Sequence, residues 1–86
     1  MKNIKTFENF NTNLKLIVKF KSEDEYIRAV EYFENESQFF PESTNDEFRS
    51  IYFDCIDQYD ADATEVEISN DLIRNNFSNY YFETEQ

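Results

Sequence analysis

The chain has 86 residues, 19 acidic and 8 basic side chains and a formal net charge of −11. This length supports a single domain. The negative charge repels nucleic acids and anionic membranes, so we expect no direct binding to either and a basic protein as the partner. Hydrophobic residues make up 40% of the chain, which excludes a disordered protein.

Targeting signals and cysteine content indicate where the protein works. No apolar run approaches the roughly 18 to 20 residues of a membrane span, and the N-terminus lacks the apolar core of a signal peptide. Cys55 is the single cysteine in the sequence, so an internal disulfide is excluded. We therefore expect a soluble protein in a reducing cytoplasm.

Residues 1–13 precede the predicted domain, which spans residues 14–86. Ile4, Phe7 and Phe10 recur at three-residue steps, as on one side of a short helix. Two interpretations remain open for this segment, a loosely docked arm and a short amphipathic helix.

Residues 14–20 alternate between two kinds of position, which is the period of a strand with one buried face. The core face would carry Leu14, Leu16, Val18 and Phe20. The other face would carry Lys15, Ile17 and Lys19. Such an apolar strand needs partners on both edges, so we expect it at an inner position of a sheet.

A helix is predicted directly after this strand. Ser22 and Glu25 have the spacing of a capping box, in which Ser22 is the N-cap and the Glu25 side chain reaches back to it. The buried stripe would consist of Tyr26, Ala29, Val30 and Phe33. Residues 35–37 should end the helix.

Two strand-like arms follow, at residues 38–42 and 48–56, and residues 43–46 would form the turn between them. Pro41 marks the first arm as an edge strand. In the second arm the core-facing side chains would be Ile51, Phe53 and Cys55. The opposite face would carry Ser50, Tyr52 and Asp54.

Residues 57–76 fit a helix better than a strand, although residues 64–68 also alternate like a strand. Asp60 or Asp62 would cap the start, and Asn76 would replace the usual C-cap glycine. The buried stripe would consist of Ala61, Ile68 and Leu72. Val66 and Ile73 lie off this stripe, where residues 1–13 would cover them.

An aromatic run at residues 79–85 reads as the last strand. The order β-α-β-β-α-β over residues 14–85 resembles the ferredoxin-like fold. The resemblance implies an α+β domain with two helices on one face of a four-stranded antiparallel sheet, and with the first and third strands central. This fold hosts enzymes, RNA binders and regulatory modules, so it implies no function by itself.

Residues 1–10 read Met-Lys-Asn-Ile-Lys-Thr-Phe-Glu-Asn-Phe. They resemble the capsid-targeting peptide of internal head proteins in large tailed phages, in which a Met-Lys start precedes a short aromatic-rich amphipathic stretch. The resemblance implies a phage origin. It also implies one of two functions considered below, that of a head-associated or internal virion protein delivered by its N-terminal segment.

The sequence offers few residues suited to catalysis or to cofactor binding. There is no histidine to act as a general base and no glycine to build a phosphate-binding loop. We therefore expect no enzyme, no catalytic residue and no cofactor. RNA binding is also disfavoured, because Asp54 and Glu83 accompany Tyr52 on the open face of the sheet.

A carboxylate cluster precedes and begins the second helix, at Asp54, Asp57, Asp60, Asp62 and Glu65. Counted from Asp60, the sixth position of a calcium loop would be Glu65 where glycine is required. Acids at a helix N-terminus are stabilising through the helix dipole, which explains the cluster without a cation. We therefore expect no metal site.

The distribution of charge along the chain is the one sequence feature that indicates a function. Residues 1–21 carry five lysines and one acid, whereas residues 22–86 carry 18 acids and three arginines. Carboxylates repeated along two neighbouring helices resemble the phosphates of a nucleic-acid backbone. The candidate partner-binding residues are Glu23, Asp24, Glu31, Glu34, Asp62, Glu65, Glu67 and Asp71.

Two functions are compatible with these patterns. In the first, a phage-encoded DNA mimic uses this acidic face to block the basic nucleic-acid-binding surface of a host defence protein in the bacterial cytoplasm. In the second, the protein resides in the virion. An ordinary self-repelling surface is the bland alternative to both.

Self-association would depend on the open face of the sheet, where Ile17, Tyr52 and Tyr81 would form an apolar strip. Three side chains fall short of the roughly 800 Å² per partner of a standard interface, and the net charge opposes association. We expect a monomer or a weak dimer.

Overall fold

The computed structural model describes residues 14–86 of the chain. Its elements are β1 (Leu14–Phe20), α1 (Glu23–Asn35), β2 (Ser43–Asn45), β3 (Ser50–Cys55), α2 (Gln58–Arg74) and β4 (Tyr80–Glu85). The predictions for residues 1–13, including the capsid-targeting resemblance, lie outside the described residues.

The four strands form one antiparallel sheet in the order β2-β3-β1-β4. The predicted ferredoxin-like α+β arrangement is confirmed, with the first and third strands central. Leu16 of β1 lies between Phe53 of β3 and Thr84 of β4, and its side chain is fully buried. The core between the sheet and the helices also contains Leu14, Val18, Phe20, Tyr26, Ala29, Phe33, Ile51, Cys55, Ala61, Ile68, Leu72 and Phe77.

Helix α1 begins as predicted, but only half of the expected capping box forms. The Ser22 hydroxyl accepts a hydrogen bond from the Glu25 backbone N–H at 3.4 Å. The Glu25 carboxylate instead accepts from the backbone N–H groups of Ser78 and Asn79, at 3.2 and 3.1 Å. The loop before β4 presents these two donors beside the first turn of α1, so a tertiary contact replaces the local one.

The hairpin after α1 forms, but its first strand lies later in the chain than predicted. Residues 38–42 are not a strand, and β2 occupies residues 43–45, which the sequence analysis placed in the turn. The true turn is fixed from outside the hairpin. Tyr26 donates a hydrogen bond to Asp46 at 2.6 Å, and the Arg49 guanidinium donates to the Phe20 carbonyl at 3.0 Å. The predicted edge position of this strand is confirmed.

Helix α2 is confirmed over the strand alternative, but Asp57 is its N-cap rather than Asp60 or Asp62. The Asp57 carboxylate accepts from the Asp60 backbone N–H at 2.9 Å, and the Asp60 carboxylate accepts from the Ile56 N–H at 2.9 Å. At the other end Asn76 adopts a φ of 69°, the left-handed conformation predicted for this glycine substitute.

Candidate protein-binding face

The four acidic residues predicted on α1 are all exposed, but they do not share one face. At 100° per residue, Asp24 and Glu31 lie within about 20° of the direction opposite the buried stripe. Glu23 and Glu34 lie about 80 to 100° from that stripe, on the same side as Tyr26, whose hydroxyl contacts Asp46 of the hairpin. The outermost surface of α1 is therefore defined by Asp24 and Glu31.

The predicted acids of α2 differ in how far they are buried. Asp62 and Glu67 are exposed, and Glu65 is half-buried. Asp71 is only 7% exposed, and the Arg74 guanidinium donates a hydrogen bond to its carboxylate. The prediction that Asp71 belongs to an accessible acidic face is wrong, because one helical turn places its side chain between Arg74 and the body of the protein.

Arginine side chains interrupt the acidic surface between the helices. Arg28 of α1 lies 4.5 Å from the centre of the Phe77 ring and 3.9 Å from the Glu25 carboxylate. On α2, Arg74 pairs with Asp71. Each of these two arginines pairs with an acid of its own helix, which lowers the net negative charge of this part of the surface.

An open cleft of about 200 Å³ lies beside Arg28. It is lined by Arg28, Glu31, Tyr32, Glu36, Asn75 and Phe77. Ligand pockets usually measure about 300 to 1,000 Å³ and enclose most of the ligand. A cleft of this size and openness suits a side chain of a partner protein better than a small molecule.

The solvent-facing surface of α2 is apolar and includes Val66 and Ile73, which were predicted to lie off the buried stripe, together with Tyr59. Tyr59, Val66 and Ile73 are 83%, 60% and 61% exposed. They lie about 120 to 160° from the centre of the buried stripe of Ala61, Ile68 and Leu72, at 100° per residue. Residues 1–13, which were predicted to cover two of them, lie outside the described residues. Acidic side chains border this apolar line rather than forming the face themselves.

On the open face of the sheet, both lysines of β1 form ion pairs with acids of neighbouring segments. Lys15 pairs with Asp54 of β3 at 2.5 Å and with Glu42 at 3.1 Å, and Lys19 pairs with Glu83 of β4 at 3.2 Å. The hydrogen bond to Asp54 is the main cause that raises the pKa of Lys15. These contacts satisfy the lysines without a ligand.

The apolar strip predicted on this face is interrupted. Ile17 lies on the side of the sheet away from the helices, yet only 2% of it is exposed. Tyr52 is half-buried, and the Lys21 ammonium lies 5.9 Å from the centre of the exposed Tyr81 ring. Because Ile17 does not reach solvent, this face offers a second copy less apolar surface than expected.

The carboxylate cluster at the start of α2 serves the helix itself. Asp57 and Asp60 bind backbone N–H groups, and Asp62 accepts from the Gln58 amide at 2.8 Å. Within residues 14–86, no group of three or more potential ligands is placed to hold a metal ion.

Cys55 is buried in the core, and this burial raises the pKa of its thiol. The thiolate is the reactive form of cysteine, so the environment of Cys55 opposes nucleophilic chemistry.

Among the helices of the described region, none has the length and apolar character needed to cross a membrane.

Comparison with known proteins adds no relative from which a role could be transferred. No family model matches the chain, and neither a curated protein nor a solved structure matches it. The function must therefore be inferred from the charge and shape of the surface described above.

Proposed function

We propose that this protein is a non-enzymatic acidic binding protein that occupies the basic nucleic-acid-binding surface of a partner protein. In this proposal it is phage-encoded, and the partner is a defence component of the bacterial host. The observation that supports the proposal is the exposure of Asp24, Glu31 and Glu67, which form no ion pair with any described residue. The helices fix the backbone positions from which these side chains extend.

The charge density of α1 approaches that of a nucleic-acid strand. Its 13 residues carry five acids and Arg28, a balance of −4. At 1.5 Å per residue this helix is about 20 Å long, a length over which one DNA strand carries about six phosphates. Asp24 and Glu31 are about 10 Å apart along the axis, roughly three phosphate steps. The helix therefore resembles DNA in overall charge density and not phosphate by phosphate.

The experiment is capture of host proteins on the immobilised full-length chain, followed by elution with double-stranded DNA. A protein held through its nucleic-acid surface will be released by DNA and by rising salt. The test variant is Glu31→Gln with Glu67→Gln. The matched control is Glu47→Gln with Glu85→Gln, which changes the net charge equally at the hairpin turn and at the end of β4.

We expect the test variant to bind the captured protein about tenfold more weakly, which corresponds to about 1.4 kcal/mol. The control variant should bind like the unmodified chain. Equal loss in both variants would mean that only net charge matters. Capture that DNA does not release would contradict the proposal directly.

A further inference from the structure

The apolar surface of α2 has a regular spacing that the proposed function does not use. Tyr59, Val66 and Ile73 are separated by seven residues, and Ala63 and Asn70 stand between them. All five are exposed, and we call them the outer stripe. This d-a-d-a-d order is the spacing by which one helix packs along another.

The outer stripe has no structural task within the described domain. The core side of α2 is already occupied by Ala61, Ile68 and Leu72, each of which is completely buried. The stripe lies on the opposite side of the helix and runs about 21 Å from Tyr59 to Ile73. Contiguous exposed apolar patches mark interaction sites on soluble proteins, and the outer stripe is a candidate for such a patch.

We propose that the outer stripe binds an amphipathic α-helix of a partner protein, with lysine or arginine flanking the apolar seam of that helix. A repeat of seven residues drifts by only about 20° per heptad around a helix, so all five side chains stay within reach of one straight partner helix. Asn70 is the polar member of the stripe, and a polar residue at such a position fixes the register of the paired helices.

The charges beside the outer stripe determine which charge the partner helix should carry. Asp62 lies about 60° to one side of the stripe centre, and Glu67 lies about 80° to the other side. Both are exposed acids at the positions that face the flanks of a packed helix. Opposite charges at these flanking positions select the partner, so a basic helix fits and an acidic helix is repelled.

A second copy of the chain fits this surface poorly. Two α2 helices packed antiparallel about Val66 would bring Glu67 of one copy towards Glu67 of the other. Each copy also carries a net charge of −11, which opposes association at low salt. Charge complementarity therefore favours a basic partner helix over a dimer.

This inference rests on the proposed function, which supplies a basic partner protein. It adds that the partner binds α2 through a basic amphipathic helix. The probe is a synthetic peptide of about 17 residues, the length of α2, with leucine at its a and d positions and lysine at e and g. A scrambled peptide of the same composition carries the same charge without the apolar seam. Fluorescence anisotropy gives the affinities, and amide chemical shifts locate the site on the full-length protein.

We expect the periodic peptide to bind at least tenfold more tightly than the scrambled one and to shift the amide signals around Val66. In the stripe variant, Val66→Gln with Ile73→Gln, this preference should disappear. The control variant, Ile27→Gln with Phe48→Gln, removes two other exposed apolar side chains and should retain it. Exposed substitutions of this kind leave the fold intact, which circular dichroism will verify.

Several results would overturn the inference. Equal binding of the two peptides, full binding by the stripe variant, or shifts confined to the sheet would each do so. A dimer in sedimentation that the stripe variant abolishes would identify a second copy as the occupant. Tighter peptide binding by the full chain carrying Ile4→Gln and Phe7→Gln would identify the chain's own first residues.

The inference and the proposed function fail in different experiments. Host capture that DNA releases and that persists in the stripe variant would overturn the inference and leave the proposed function intact. Peptide binding that depends on the stripe, together with captured protein that DNA does not release, would overturn the proposed function alone.

Discussion

Replacing Glu25 by alanine tests whether the loop before β4 is held by α1. The Glu25 Oε1 atom accepts from the backbone N–H groups of Ser78 and Asn79, and its Oε2 atom lies 3.5 Å from the Ser78 hydroxyl. Only 13% of the Glu25 side chain is exposed. Glu25→Ala therefore removes two charge-assisted hydrogen bonds and leaves two backbone donors without this acceptor.

The expected loss of unfolding free energy is about 2 to 3 kcal/mol. A hydrogen bond to a charged group contributes about 1.5 to 3 kcal/mol. Ser78 and Asn79 are exposed, so water can replace part of the bonding that the variant loses. A domain of this length has a total stability of roughly 4 to 13 kcal/mol, so the loss is a large fraction of it. Urea unfolding followed by circular dichroism measures the change.

Two further variants separate the contributions. Glu23→Ala removes an exposed acid from the same first turn and should cost only about 0.3 to 1 kcal/mol, the contribution of the helix dipole. Glu25→Gln keeps an acceptor at the Oε1 position but loses the charge, so we expect a loss of about 1 kcal/mol. Exposed substitutions usually change the unfolding free energy by no more than about 0.5 kcal/mol. If the losses for Glu25→Ala and Glu23→Ala agree within that range, the hydrogen bonds from the Glu25 carboxylate to the loop before β4 do not stabilise the fold.

Two other predictions concern single residues. Asn76 holds a positive φ at the end of α2, so Asn76→Gly should stabilise the protein by about 0.5 to 1 kcal/mol and Asn76→Ala should destabilise it by about as much; a destabilised glycine variant in urea unfolding would contradict this. Burial, together with the hydrogen bond to Asp46, raises the pKa of Tyr26 to about 12. The protonated phenol is favoured by folding, so its contribution is complete below pH 10 and is lost as the pH rises towards 12, by at most about 1.4 kcal/mol per pH unit. Tyr26→Phe should lose this part of the alkaline destabilisation, and unfolding curves that fall in parallel for both proteins would refute the assignment.

The periodicity of the sequence predicted the fold because each long element has its own local signal. The buried face of β1 and the Ser22 cap of α1 depend on neighbours in the chain, and both are confirmed, although Ile17 on the other face of β1 is buried as well. The position of β2 depends on contacts of the hairpin with Tyr26 and Phe20, which lie at distant points in the sequence. Local patterns contain no information about such contacts, so the turn was misplaced.

The candidate site was predicted in composition but not in arrangement. The exposed acids were identified, and Val66 and Ile73 were placed off the buried stripe. The burial of Asp71 beside Arg74 and the place of Tyr59 on the same exposed surface were missed. The seven-residue spacing of Tyr59, Val66 and Ile73 was present in the sequence and could have revealed the outer stripe. The virion alternative depends on residues 1–10 and stays a prediction.

The central position of β1 has a consequence for how the chain folds. Its two neighbours are β3, which follows α1 and β2 in the sequence, and β4, which follows every other element. Pairing between β1 and β4 closes a long loop, so we expect the complete sheet to form late and folding to be slow for a domain of this size. Until β4 is in place, one edge of β1 is unpaired beside the apolar side chains of Leu16, Ile17 and Val18. An incomplete chain would therefore expose a strand edge that promotes aggregation, and the last strand protects the protein as well as completing it.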